Sequence, residues 1–147
     1  MFFEEFSIGQ KFEVNSVTLS LKEIEEFARR YDPQPIHIDH EFAEQGPFKG
    51  IIASGFQTLS VIWAEWIKSE RFGTEIIGGT GLDFVTWDRP VRPGDTLHTV
   101  AEVTETIPSQ KGNRGLVVLK FTVTNQTGKT VLTTQGRVYL KSSASEA

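Results

Sequence analysis

The sequence predicts an α+β fold in which a curved antiparallel sheet wraps one long helix. Two observations carry this. Helix-period apolar spacing fills the first half and strand-like runs fill the second, without the alternation of a doubly wound α/β chain. The longest helical stretch is apolar around most of its cylinder, the pattern of a buried helix. No internal repeat or low-complexity linker interrupts the 147 residues. That length suits one domain spanning 1–147, able to bury roughly 68–70% of the surface its unfolded chain exposes.

The elements follow in order. Residues 12–19, FEVNSVTL, roughly alternate apolar and polar and read as a strand. Ser20 starts a helix, and Glu23 three residues on completes a capping box. Ile24, Phe27 and Ala28 share one face, with Leu21 a turn earlier. The helix stops near Tyr31, because Pro33 disfavours helical backbone at Asp32. Residues 31–37, YDPQPIH, read as a rigid irregular segment held by two prolines. Asp39 caps a short helix, HEFAEQ, ending at Gly46-Pro47. After Gly50 comes the long helix, ASGFQTLSVIWAEWIKSE, about five turns closed by Gly73. Residues 76–91 form an extended arm broken by Gly78, Gly79 and Gly81, and VRPGD makes a turn. Thr96–Ile107, Gly115–Asn125 and Val131–Lys141 are strand-like, with a hairpin turn at Asn125–Gly128. The tail SSASEA is small and polar and is expected to fray.

Composition excludes several function classes. There is no cysteine, so no disulfide framework, thiolate metal site or cysteine nucleophile exists. This suits a reducing cytoplasm, the compartment expected here. The net charge of −4 shows no basic stripe of the kind that grips nucleic acid. Arg89 with Arg92, and Lys111 with Arg114, read as solvated loop charge. The start MFFEEFSIGQK lacks the pattern of a signal peptide, and Ile51–Ile67 is too polar to span a bilayer. Neither nucleic acid nor membrane is an expected partner.

Asp32 lies five residues before His37, with Pro33 and Pro35 between. An extended or turn-like path at that spacing brings a carboxylate and an imidazole to one pocket edge. Rigid prolines keep them together, as a preorganised acid/base pair requires. Histidine titrates near neutrality and passes a proton either way. The bland alternative is a turn-capping Asp32 and a core-edge His37. Gly55, entering the long helix, could offer a free first-turn N–H to a carbonyl or enolate oxygen. The alternative there is close packing against a bare backbone. His37-Ile38-Asp39-His40 raises the question of a metal, but two nearby histidines without a distant third ligand predict none. Gly78-Gly79-Thr80-Gly81 is no phosphate cradle, and Ala53-Ser54-Gly55 is no nucleophile elbow.

Asp32-Pro33-Gln34-Pro35-Ile36-His37 resembles the hydratase motif of the MaoC-like dehydratase family, which includes (R)-specific enoyl-CoA hydratases. The family pattern is Asp, any residue, Asn, Pro, an aliphatic residue, His. The chain matches it at Asp32, Pro35, Ile36 and His37 and carries Gln34 where Asn is typical. Ala53-Ser54-Gly55 is similar to the start of the family's central helix. Arg89-Pro90-Val91-Arg92-Pro93-Gly94-Asp95 is similar to its P-V-x-x-G-D turn, and the likeness runs from about Phe6 to Tyr139.

The resemblance implies a hot-dog fold and a hydro-lyase of fatty acid metabolism. Such an enzyme adds water to an enoyl thioester or removes it from a 3-hydroxyacyl thioester. Asp32 and His37 would be the catalytic pair, and Gly55 would hold the thioester carbonyl. It also implies a homodimer or higher homo-oligomer, and no cofactor beyond the coenzyme A or acyl carrier protein of the substrate. Ser54, Phe56, Phe84 and Trp87 are the candidates for contacting substrate, with Trp63 a further aromatic near the tunnel. The competing readings are a hot-dog acyl thioesterase and a non-catalytic acyl-thioester-binding protein.

Overall fold

The computed structural model describes residues 1–143. Strand β1 (Lys11–Thr18) is followed by helices α1 (Leu21–Tyr31), α2 (Pro35–Ile38), α3 (His40–Gln45) and α4 (Gly55–Lys68). Strands β2 (Ile76–Trp87), β3 (Thr96–Pro108), β4 (Arg114–Thr124) and β5 (Thr130–Lys141) complete the chain. All strand pairings are antiparallel, in the order β1-β3-β4-β5-β2. Helix α4 packs on this curved sheet through Ile62 and Trp66, which is the hot-dog arrangement.

Helix α1 begins as its residues dictate. Ser20 accepts the Glu23 N–H, and Glu23 reaches back to the Ser20 N–H. Ile24 and Ala28 are fully buried, whereas Leu21 is exposed rather than part of the inner face.

Four expectations need correction. The segment 31–37 is not irregular throughout. Pro35 occupies the first position of α2, where its missing N–H costs nothing. Helix α4 is 14 residues long, about four turns, because Ser54 has extended backbone and caps the helix from outside. It ends at Ser69, before Glu70 turns to a left-handed φ of 60°, so Gly73 does not close it. The arm after it is a true strand, β2, paired to β5 with register shifts around Gly78, Gly79 and Gly81.

The fourth correction concerns burial. Helix α4 is covered on one side only: Gln57, Thr58, Ile62 and Trp66 are buried, while Phe56, Trp63 and Ile67 are exposed. An apolar residue count cannot separate a helix covered by its own sheet from one whose second face is left open.

Trp66 is the hub of the core. Its ring meets Phe72 at 5.2 Å and Phe121 at 5.7 Å, both edge-on, and lies 5.6 Å from Phe12. It thereby joins α4 to β1, β4 and the chain after α4. The two ends of the chain meet where Glu4 accepts hydrogen bonds from Ser142 and Ser143. The tail is thus tied at its first two residues, and 144–147 lie outside the described residues. No helix among the described residues is long and apolar enough to cross a membrane.

Replacing Trp66 with alanine is expected to cost about 3–5 kcal/mol, as for other large aromatics in packed cores. A urea titration would show a lower midpoint with an unchanged slope.

Candidate active site

Helix α1 delivers Asp32 to its C-terminal edge. The Asp32 N–H still donates to the Ala28 carbonyl at 2.8 Å, but its φ of −154° leaves the helix ahead of Pro33. The chain turns at once, with the Gln34 N–H on the Asp32 carbonyl at 2.8 Å. Pro35 starts α2, and a single helical turn carries His37 inward until it is 3% exposed. The buried stretch 51–54 runs alongside. The Ile52 N–H donates to the Ile36 carbonyl at 3.2 Å, and the Ala53 N–H to the Val91 carbonyl at 2.8 Å. The VRPGD turn therefore braces the same stretch that leads into α4.

This framework fixes the imidazole. His37 Nδ1 lies 2.6 Å from the Ile52 carbonyl oxygen. A carbonyl only accepts, so Nδ1 carries the proton and donates. The other nitrogen, Nε2, is 3.3 Å from Asp32 Oδ2. A neutral His37 presents a lone pair there, beside a carboxylate that is also an acceptor. The separation exceeds that of a tight charge-assisted contact, about 2.7–2.9 Å. Two acceptors converging in this way suit a donor with two O–H bonds, such as one water.

Asp32 is held by both its oxygens. Ser54 Oγ donates to Oδ2 at 2.7 Å and Gln34 Nε2 donates to Oδ1 at 2.7 Å. Burial pushes the Asp32 carboxyl up. The hydrogen bonds from Ser54 and Gln34 outweigh it and hold the group below its ordinary value. Asp32 is therefore ionised at neutral pH.

These groups open onto a pocket of about 380 Å³ that is also bordered by Thr58, Phe56, Trp87 and Arg89. Gly55 starts α4 on its wall, and no acceptor for its N–H is found among the described residues. Its missing side chain is a packing requirement. A Cβ there would come within 2.2 Å of the Trp87 indole, so only glycine admits the ring.

A profile of the MaoC like domain matches residues 4–127. The chain belongs to the MaoC-like domain family. This MaoC-like chain is 40% identical over 123 residues to YdeM, an uncharacterized protein of Bacillus subtilis (strain 168), covering 84% of the chain and 86% of that protein. It is 30% identical over 119 residues to a 3-hydroxybutyryl-CoA dehydratase of Methylorubrum extorquens, covering 78% of the chain and 71% of that protein. A crystal structure of a MaoC-like dehydratase from Rhodospirillum rubrum superposes with a TM-score of 0.90 at 30% identity, covering 97% of both chains.

In the MaoC-like chain, Asp32, His37, Gly55, Phe56 and Trp87 all border one pocket. Ser54 adjoins it but is fully buried, its hydroxyl donating to Asp32 and accepting the Phe56 N–H. It is a partner of the carboxylate rather than a free wall residue. Phe84 lies opposite Gln135 in the sheet, exposed and away from this pocket. Trp63 packs edge-on against Phe72 and Phe121.

His40 is directed elsewhere than His37, with Nε2 2.5 Å from Glu25 on α1. Among the described residues no three His, Asp or Glu side chains are grouped to hold a metal ion. Sequence reading missed the Ile52 carbonyl and Thr58 on the pocket wall. The first has no side-chain signature, and Thr58 reads as one more polar break in an apolar helix.

Ser54→Ala removes a hydrogen bond to the ionised form of Asp32, so the carboxyl pKa rises toward the ordinary range. Carbon NMR titration of Asp32 would detect this. Because the folded-state value is depressed, Asp32 adds stability that is present above the ordinary carboxylate pKa. That stability fades as pH falls through the depressed value. Ser54→Ala lessens this contribution and also loses the α4 cap, costing about 1 kcal/mol near neutral pH.

Proposed function

We propose that this chain hydrates trans-enoyl thioesters and dehydrates 3-hydroxyacyl thioesters, carried on coenzyme A or an acyl carrier protein. The observation that carries the reading is the pair of acceptors, half-buried Asp32 Oδ2 and buried His37 Nε2, 3.3 Å apart on one pocket wall. Family membership supports it, as does the likeness to a 3-hydroxybutyryl-CoA dehydratase.

In hydration, Asp32 and His37 hold one water by its two O–H bonds. As the water oxygen bonds to the β-carbon, the pair takes one of its protons. The electron pair of the double bond moves toward the thioester carbonyl, forming an enolate. The Gly55 N–H, free in the first turn of α4, donates to that enolate oxygen. The captured proton then returns to the α-carbon, and the other stays on the new hydroxyl. Dehydration runs the same steps backward. Ionised Asp32 and the Nδ1–H tautomer imposed by Ile52 leave Asp32 Oδ2 and His37 Nε2 as the two accepting atoms.

The active form is proposed to be a homodimer. In the protomer, Ile77, Leu82, Phe84 and Trp87 of edge strand β2 are each at least 40% exposed, as are Phe56 and Ile67 of α4. An edge strand with this much apolar surface calls for a partner. Light scattering coupled to gel filtration is expected to give twice the 16.5 kDa chain mass.

Wild-type protein mixed with a short trans-enoyl-CoA should bleach the ultraviolet absorbance of the conjugated thioester without releasing thiol. Asp32→Asn and His37→Ala should each lower kcat by about 10²–10⁴-fold while circular dichroism stays unchanged. Full activity in either variant overturns the assignment, and release of free thiol points to a thioesterase.

A further inference from the structure

Thr58 brings a further polar group to the catalytic pocket. It is 2% exposed and borders the same space as Asp32, His37 and Gly55. Its N–H continues α4 by donating to the Ser54 carbonyl at 3.2 Å. Its hydroxyl has no hydrogen-bond partner among the described residues. The buried side-chain polar atoms closed off from solvent without a partner are Gln57 Oε1 and Trp66 Nε1. Thr58 Oγ is not closed off, so it opens on the pocket that the residue borders.

A hydroxyl inside a helix ordinarily donates to the carbonyl four residues back. Ser60 does so, reaching the Phe56 carbonyl at 2.8 Å. Ser54 is also committed, accepting from the Phe56 N–H and donating to Asp32. Of these three hydroxyls at the start of α4, only that of Thr58 is left uncommitted. A buried hydroxyl forgoes its bonds at a cost, so one that faces a pocket suits a ligand atom.

The helix places that hydroxyl close to Gly55. Residues three apart share one side of a helix, with about 5–6 Å between their β positions. Helical side chains lean toward the N-terminus, so Thr58 covers the turn that begins at Gly55. The Gly55 N–H lies at that same end and has no acceptor among the described residues. One oxygen can sit about 2.7–3.1 Å from each of two donors spaced in this way. The Ser54–Asp32 bond of 2.7 Å ties the carboxylate to the residue just before Gly55. The accepting pair and the two donors therefore face one space.

Resting on the hydratase reading above, we propose that the Thr58 hydroxyl is a second donor to the thioester carbonyl, beside the Gly55 N–H. As water adds, the double-bond electrons move onto that oxygen and both hydrogen bonds strengthen. The hydroxyl thus stabilises the enolate-like transition state more than the bound substrate.

The experiment compares wild type, Thr58→Val and Thr58→Ser. Valine keeps the shape and removes the hydroxyl, whereas serine keeps the hydroxyl. Hydration of crotonyl-CoA by Thr58→Val should show kcat lowered by about 10²–10³-fold, the loss seen when one oxyanion donor is removed. KM should change little, and Thr58→Ser should recover most of the rate. A threonine that only fills space would be replaced by valine without loss of kcat.

Infrared spectra of bound butyryl-CoA and decanoyl-CoA, labelled with carbon-13 at the thioester carbonyl, read the same contact without turnover. Hydrogen bonds lower the carbonyl stretching frequency. The band should rise in Thr58→Val and return in Thr58→Ser. Undiminished kcat in Thr58→Val, or a band that does not move, overturns the proposal. If neither acyl-CoA binds the wild type, the proposal falls together with the hydratase reading. If the band responds to Thr58 as expected but no enoyl thioester is hydrated, the hydratase reading fails while the carbonyl contact stands.

Discussion

The hydrogen bond from His37 Nδ1 to the Ile52 carbonyl organises the site. It is 2.6 Å long and buried, and it joins two segments fifteen residues apart in sequence. A buried imidazole needs a partner for its N–H, and the backbone of the 51–54 stretch supplies one. Making that bond sets the tautomer, aims Nε2 at Asp32, and draws the stretch leading into α4 against α2. The Ile52–Ile36 and Ala53–Val91 backbone bonds hold the same strip from either side. Each feature of the pocket depends on this strip: the position of Ser54, the start of α4 and the direction of the Gly55 N–H.

Ser54 shows how one side chain serves folding and electrostatics together. Its hydroxyl accepts from the Phe56 N–H, which starts the helix, and donates to Asp32, which keeps the carboxylate ionised despite burial. Helix initiation and carboxylate tuning therefore share one oxygen. Gln34, from the motif itself, holds the other carboxylate oxygen. The longer amide, where Asn is typical of the family motif, still reaches Asp32.

Helix α4 has two faces with different tasks. Ile62 and Trp66 lock it to the sheet through an aromatic cluster that includes Phe12, Phe72 and Phe121. Phe56, Trp63 and Ile67 lie on the side left open in the protomer. Gly55 is where these tasks meet β2. Its lack of a side chain lets the end of that strand bring an indole to the pocket wall, while its N–H has no acceptor among the described residues.

Much of this was legible in the chain itself, because local rules act over a few residues. The Ser20–Glu23 capping box, the stop before Pro33, the Asp39 cap and the β4–β5 hairpin are short-range stereochemistry, and each formed where its residues required. The Asp32–His37 spacing likewise marked the motif. Burial of α4 was misjudged because apolar periodicity reports a demand for cover and not what provides it. The Ile52 carbonyl, the Ser54–Asp32 bond and the Trp87–Gly55 contact join residues 15, 22 and 32 positions apart. Backbone atoms carry no identity in sequence, and such contacts exist only once α1, the 51–54 strip and the end of β2 are packed together. Residue identity and short-range stereochemistry therefore marked the candidate residues, and tertiary packing alone decided which atoms of those residues face one another.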